Sequence, residues 1–138
     1  AIATTTTPEN VTALLTHTLG TESIDWFEVI AAGDIVPAKK PAADIYHYAM
    51  DRMQLEPSQC IAFEDSENGL KSSTGADLNT IITINDYTAE HDFSDACIVL
   101  DQMGEPGHAF SVIAGEAGDA TYLDCDLVER LHQQAIRA

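Results

Sequence analysis

Five short apolar runs, at residues 1–3, 28–32, 60–63, 80–84 and 97–100, alternate along the chain with stretches of helical periodicity. This alternation is the strongest constraint on the fold. Strands separated by helices cannot pair as tight hairpins, so they return as parallel neighbours through crossovers. Runs that are apolar almost throughout belong to strands covered on both faces. The expected class is therefore α/β: a three-layer, Rossmann-like parallel sheet with helices on either side.

The helices carry their own signals. Thr7-Pro8-Glu9 reads as an N-cap, a first-turn proline and a first-turn acid. Val11, Leu14, Leu15 and Leu19 then recur at helical spacing until Gly20 ends the element. A second helix is predicted over 41–55, with Ile45, Tyr48, Ala49 and Met53 on one face, and a short third helix over 66–73 before Gly75. Residues 104–118 read as a glycine-rich loop with a short strand at 110–113. Asp126 is the expected cap of a terminal helix whose inner stripe is Leu127, Val128, Leu131 and Ala135. Trp26 beside Phe27 is expected to pack in the core or a hinge.

One domain, residues 1–138, accommodates all of these elements, with 45% hydrophobic residues for its core. The formal net charge of −17 would repel nucleic acid and anionic membranes, which excludes both as partners. No apolar run is long enough to span a bilayer and the first residues lack signal-peptide character, so a soluble, cytoplasmic protein is expected. The three cysteines show no metal-type spacing; Cys60 and Cys97 lie in apolar runs and read as reduced core residues. His17, His47, His91, His108 and His132 share no metal-binding spacing.

Three places carry chemistry. Glu64 and Asp65 follow the run at 60–63, where a strand would surface at the rim of a parallel sheet. Adjacent carboxylates repel unless a cation relieves them, and oxygen donors of this kind suit magnesium. Thr4 ends the first run, so its hydroxyl and the N–H of Thr5 could bind phosphate oxygens beside a helix N-terminus. Lys40 stands directly before Pro41, which favours an extended backbone and aims its side chain away from the following helix. Lys39 is its neighbour and competitor. Hydroxyl, ammonium and acid pair, in that order, suit a phosphate site with a divalent metal. Read singly, Thr4 is a polar strand-to-helix turn and Lys40 a common surface lysine, while the acid pair favours a metal over a helix cap beside a solvated acid.

Together, Ala3-Thr4-Thr5-Thr6, Lys40-Pro41-Ala42-Ala43-Asp44-Ile45-Tyr46 and Phe63-Glu64-Asp65-Ser66-Glu67-Asn68-Gly69-Leu70 resemble the second, third and fourth motifs of the haloacid dehalogenase superfamily. Within it they are most similar to the CbbY-like and β-phosphoglucomutase-like sugar-phosphate group. The resemblance implies that Thr4 binds phosphate, that Lys40 steadies nucleophile and phosphate, and that Glu64 and Asp65 bind Mg2+. Thr5 and Thr6 would line the phosphate or substrate pocket. It also implies that the first motif, a strand ending in Asp-x-Asp, and the helical cap lie outside this chain. The expected function is part of a magnesium-dependent phosphatase that acts on a small phosphorylated sugar through an aspartyl-phosphate. Its partner would be the missing amino-terminal part of the same protein, and the 138-residue chain alone would be inactive. The alternatives are a sugar phosphomutase of the same group and a non-catalytic metal- and phosphate-binding module.

Overall fold

The computed structural model describes residues 1–137. The elements run β1 (Ile2–Thr4), α1 (Pro8–Leu19), β2 (Ile30–Ala32), α2 (Asp44–Met53), β3 (Ile61–Glu64), α3 (Glu67–Thr74), β4 (Asn79–Thr83), β5 (Ile98–Leu100), β6 (Val112–Ala114) and α4 (Cys125–Arg137). Short 3₁₀ segments at Thr21–Trp26 and Pro57–Gln59 lead into β2 and β3.

The strands form two sheets. β1 and β2 pair in parallel; β3, β4 and β5 pair in parallel, and β6 closes the far edge antiparallel to β5. Strand alternation assigns the faces. In β4, Ile81 packs with Ile98 against Leu127 and Leu131 of α4, while Ile82 packs with Val99 against Leu70 of α3. In the smaller sheet, Ile2, Ile30 and Ala32 meet Val11 and Leu15 of α1, whereas Ala3 and Ala31 meet Ile45 of α2. α2 and α3 thus cover one face and α1 and α4 the other, as expected of three α/β layers.

α2 is the bridge between the sheets. Ile45, Tyr46 and Met50 share one cluster with Ala31 from the small sheet, Ala62 from the large one and Leu78 just before β4. Above it the sheets leave a cleft of about 410 Å³. Ile2 and Ala3 line one wall, Ile61, Ala62 and Phe63 the other, and Ala49, Met50 and Met53 the floor. β1 and β3 each have a strand partner on one side only. This is why Phe63, in a run expected to be buried, is 44% exposed.

Several local expectations shift. The second helix starts at Asp44 instead of Pro41, and the Lys40–Pro41 peptide is cis. Its buried positions are Ile45, Tyr46, Ala49 and Met50, because it packs under two sheets instead of one. On α1 only Val11 and Leu15 are buried; Leu14 and Leu19 are exposed, since the short β1–β2 sheet covers a narrow stripe. Trp26 is exposed instead of packed, carried outward by the 3₁₀ turn. The cap of α4 is Asp124, whose Oδ1 accepts the Leu127 N–H at 2.8 Å, and Asp126 lies within the first turn. Thr7 caps α1 as expected, accepting from the Asn10 N–H at 3.3 Å. No helix among the described residues is long and apolar enough to cross a membrane.

Candidate active site

The carboxyl ends of β1 and β3 meet at one rim through Lys40. Its ammonium donates to the Ala3 carbonyl at 3.0 Å and to Glu64 Oε1, so one side chain spans the cleft. Both charged groups are largely withdrawn from water, with side-chain exposures of 13% for Lys40 and 8% for Glu64. Lys39 sits on the surface and pairs with Asp34 at 2.8 Å, with side-chain exposures of 53% and 87%. That pair holds the Asp34 carboxyl below its usual range through the Lys39 hydrogen bond and charge. The two neighbouring lysines are therefore different in kind, and only Lys40 reaches the strand ends.

Glu64 closes β3 on the face that carries Ala62, which turns it toward α2. There Tyr46 donates its hydroxyl to the same Oε1 that Lys40 uses. The other oxygen, Oε2, lies over the first turn of α3, where Ser66 caps the helix by accepting the Gly69 N–H at 3.1 Å. A Cβ on Gly69 would stand 2.0 Å from Oε2, so a glycine there is a requirement of the carboxylate and not of the backbone. Replacing a helical glycine by alanine ordinarily stabilises by about 1 kcal/mol. Gly69→Ala should instead force Glu64 off Lys40 and Tyr46, and because that loss exceeds the gain in helix propensity the thermal midpoint should fall by roughly 5–10 °C. Nitrogen-detected NMR of the Lys40 ammonium checks this: its protons should exchange faster in the variant, and an unaltered signal would mean that the carboxylate tolerates the methyl group.

Asp65 points the other way. It is exposed, and Asn85, just past β4, donates to its Oδ2 at 3.4 Å. The two acids are thus engaged separately, Glu64 inward and Asp65 toward solvent. Among the described residues no three His, Cys, Asp or Glu side chains gather as a metal-ligand set. The donors present are hard carboxylate oxygens, which suit magnesium, an ion that keeps several waters and takes few protein ligands.

Thr4 Oγ1 accepts the Thr6 N–H at 3.2 Å, which shapes the turn into α1 and leaves its own hydroxyl proton available to donate. Thr5 and Thr6 are exposed beside it. The histidines serve local structure: His91 Nδ1 accepts the Glu67 N–H at 3.2 Å, and His132 Nε2 meets the Ser58 carbonyl at 2.9 Å. Cys60 and Cys97 are free and half-buried, and burial raises both thiols above the usual range.

Sequence reasoning missed Tyr46 and Gly69 as parts of this site, although both fall inside its motifs. Helix periodicity alone does not single out Tyr46; only the burial at Ile45, Tyr46, Ala49 and Met50 puts its ring under the strand ends.

Residues 1–77 match the family model of a haloacid dehalogenase-like hydrolase. Over 96 residues the chain is 51% identical to Protein CbbY of Rhodobacter capsulatus, a match covering 70% of this chain and 42% of that protein. A crystal structure of CbbY from Rhodobacter sphaeroides in complex with Xylulose-(1,5)bisphosphate aligns with a TM-score of 0.67 at 41% identity, over 72% of this chain and 44% of the other. β-Phosphoglucomutase (pgmB) from Clostridium difficile aligns with a TM-score of 0.65 over 94% of this chain and 47% of its own, and at 18% identity it shows a shared fold. The chain spans less than half the length of these proteins. With the hydrolase model matched over more than half of its 138 residues, the chain belongs to the haloacid dehalogenase-like hydrolase family.

Proposed function

We propose that this chain forms part of a magnesium-dependent phosphatase acting on a small phosphorylated sugar through an aspartyl-phosphate. The nucleophilic carboxylate would arrive on a strand seated in the cleft between β1 and β3. The observation that carries this is Lys40, a withdrawn ammonium joined to the ends of both strands. An ammonium has three donors. Ala3 and Glu64 take two, which leaves one for a phosphoryl oxygen or an attacking carboxylate. Phosphoryl transfer requires mainly positioning and charge compensation, and a fixed cation at low solvent exposure supplies both.

Thr4 would donate its remaining hydroxyl proton to the phosphate, with Thr5 and Thr6 presenting further donors near the N-terminus of α1. Glu64 and Asp65 would hold Mg2+, with Asp65 the more accessible; when bound, the ion neutralises charge on phosphoryl oxygens. On a chain of net charge −17, that ion and Lys40 also give an anionic substrate a local attraction. The sugar-phosphate class is carried over from the xylulose bisphosphate held by the R. sphaeroides relative. A cytoplasmic setting, or a plastid stromal one in a eukaryote, belongs to the same proposal. A non-catalytic module remains the second reading for the 138 residues by themselves, favoured by the lack of a larger acid cluster among the described residues.

The test is a phosphate-release assay of the whole protein on sugar phosphates, with Mg2+ titrated. Turnover should vanish in chelator. Asp65→Asn should lower it about a hundredfold and raise the half-saturating Mg2+ more than tenfold. Activity that persists undiminished in chelator would remove magnesium from the scheme, and no activity on any phosphomonoester would remove the phosphatase itself.

A further inference from the structure

We infer that Tyr46 is a positioning residue that holds the Lys40–Glu64 pair in one geometry, so that the free donor of Lys40 keeps a fixed direction at the rim. The inference deepens the phosphatase reading and rests on it for its kinetic consequence. Tyr46 touches both members of the pair. Its hydroxyl donates to Glu64 Oε1, and its ring face lies under the Lys40 ammonium, 5.2 Å from nitrogen to ring centroid. A cation over a tyrosine face is attracted by the ring quadrupole, and more so where water is scarce. Tyr46 is itself buried, at 9% exposure.

The geometry explains why one oxygen carries two donors. Oε2 is confined by the Gly69 turn, so Glu64 can meet Lys40 only through Oε1. With Lys40 as sole partner, the carboxylate could pivot about that single contact. A second donor from the α2 side removes the freedom. A phenol carries its proton at neutral pH, so the hydroxyl is a donor to the carboxylate. Lys40 is thereby fixed from three directions: the Ala3 carbonyl, the Glu64 carboxylate and the Tyr46 ring.

Tyr46→Phe removes the hydroxyl and keeps the ring, so packing under the sheets is preserved. In the whole protein, assayed with p-nitrophenyl phosphate, it should lower kcat about tenfold with KM changed less than about twofold, the scale expected for a group supporting an active-site ligand. Introduced into a Glu64→Gln background, the same change should cost less than about twofold, because the partner it orients is already altered. A loss of equal size in both backgrounds, or none in the wild type, overturns the positioning role. A second measurement needs no turnover. In the whole protein, the ammonium protons of Lys40 should exchange with solvent at least about fivefold faster in Tyr46→Phe, by NMR, with unchanged backbone spectra. Equal exchange rates would refute the inference. If the wild-type protein hydrolyses no phosphomonoester while Lys40 still loosens in the variant, the phosphatase reading fails and the role of Tyr46 in holding the pair stands.

Discussion

Lys40→Ala should lower turnover of the whole protein about 10²- to 10³-fold, the usual cost of removing one preorganised charge from the site of phosphoryl transfer. Lys39→Ala should leave it nearly unchanged. The contrast follows from placement, since the two ammonium groups sit one residue apart in sequence. Lys40 is tied to both strand ends and has little contact with solvent, so its charge acts at low screening. Lys39 pairs with Asp34 in open solvent, where water and salt screen it. Stability should follow the same order. Removing Lys40 strands a carboxylate that is 8% exposed with only Tyr46 as donor, which costs on the order of 3 kcal/mol. That corresponds to a fall in the thermal midpoint of roughly 10 °C for a domain of this size. Equal kinetic losses at both lysines would show that the wrong one has been assigned, and a thermal midpoint unmoved in Lys40→Ala would show that the pair is not withdrawn from water.

The layers, the parallel pairing of the strands and the family were legible in the sequence because each rests on local pattern. Ile81 and Ile82 illustrate this: a run with no polar side implies cover on both faces, and α4 and α3 provide it. Lys40 was also within reach, since Pro41 marks it off from Lys39. What escaped were facts of tertiary phase. Tyr48 and Met53 fit the helical stripe as well as Tyr46 and Met50 do, and only the presence of two sheets above α2 selects the latter pair. The role of Gly69 depends on where the Glu64 carboxylate comes to rest, which periodicity does not encode. The antiparallel β6 was hidden for a related reason: Val112–Ala114 is exposed along its length, so no apolar pattern marks how it pairs.

The 138-residue chain by itself should release no phosphate from any sugar phosphate, however much magnesium is present. Donors and a cation can stabilise a transferring phosphoryl group, but an aspartyl-phosphate needs a carboxylate in line with it. The acids at the rim are committed elsewhere in this scheme, Glu64 to Lys40, Tyr46 and the metal, and Asp65 to the metal. The cleft between β1 and β3 indicates where the nucleophile would enter. Both strands end at the same rim, and each has one edge without a strand partner. An extended segment laid between them would pair along both edges and bring its last residue to Lys40. Backbone groups left without partners at such edges are costly and open readily. Amide exchange of the isolated chain should therefore be uneven: β1 and β3 should exchange more than about a thousandfold faster than β4, which is paired on both sides, a gap of roughly 4 kcal/mol in opening free energy. Adding a segment that carries an Asp-x-Asp strand, as the proposed function requires, should slow β1 and β3 toward β4 and bring phosphate release with it. Strong protection of all three strands in a dilute monomer would mean that the sheet needs no further strand. Turnover by the isolated chain that disappears in Asp65→Asn would mean that the nucleophile lies within these residues after all.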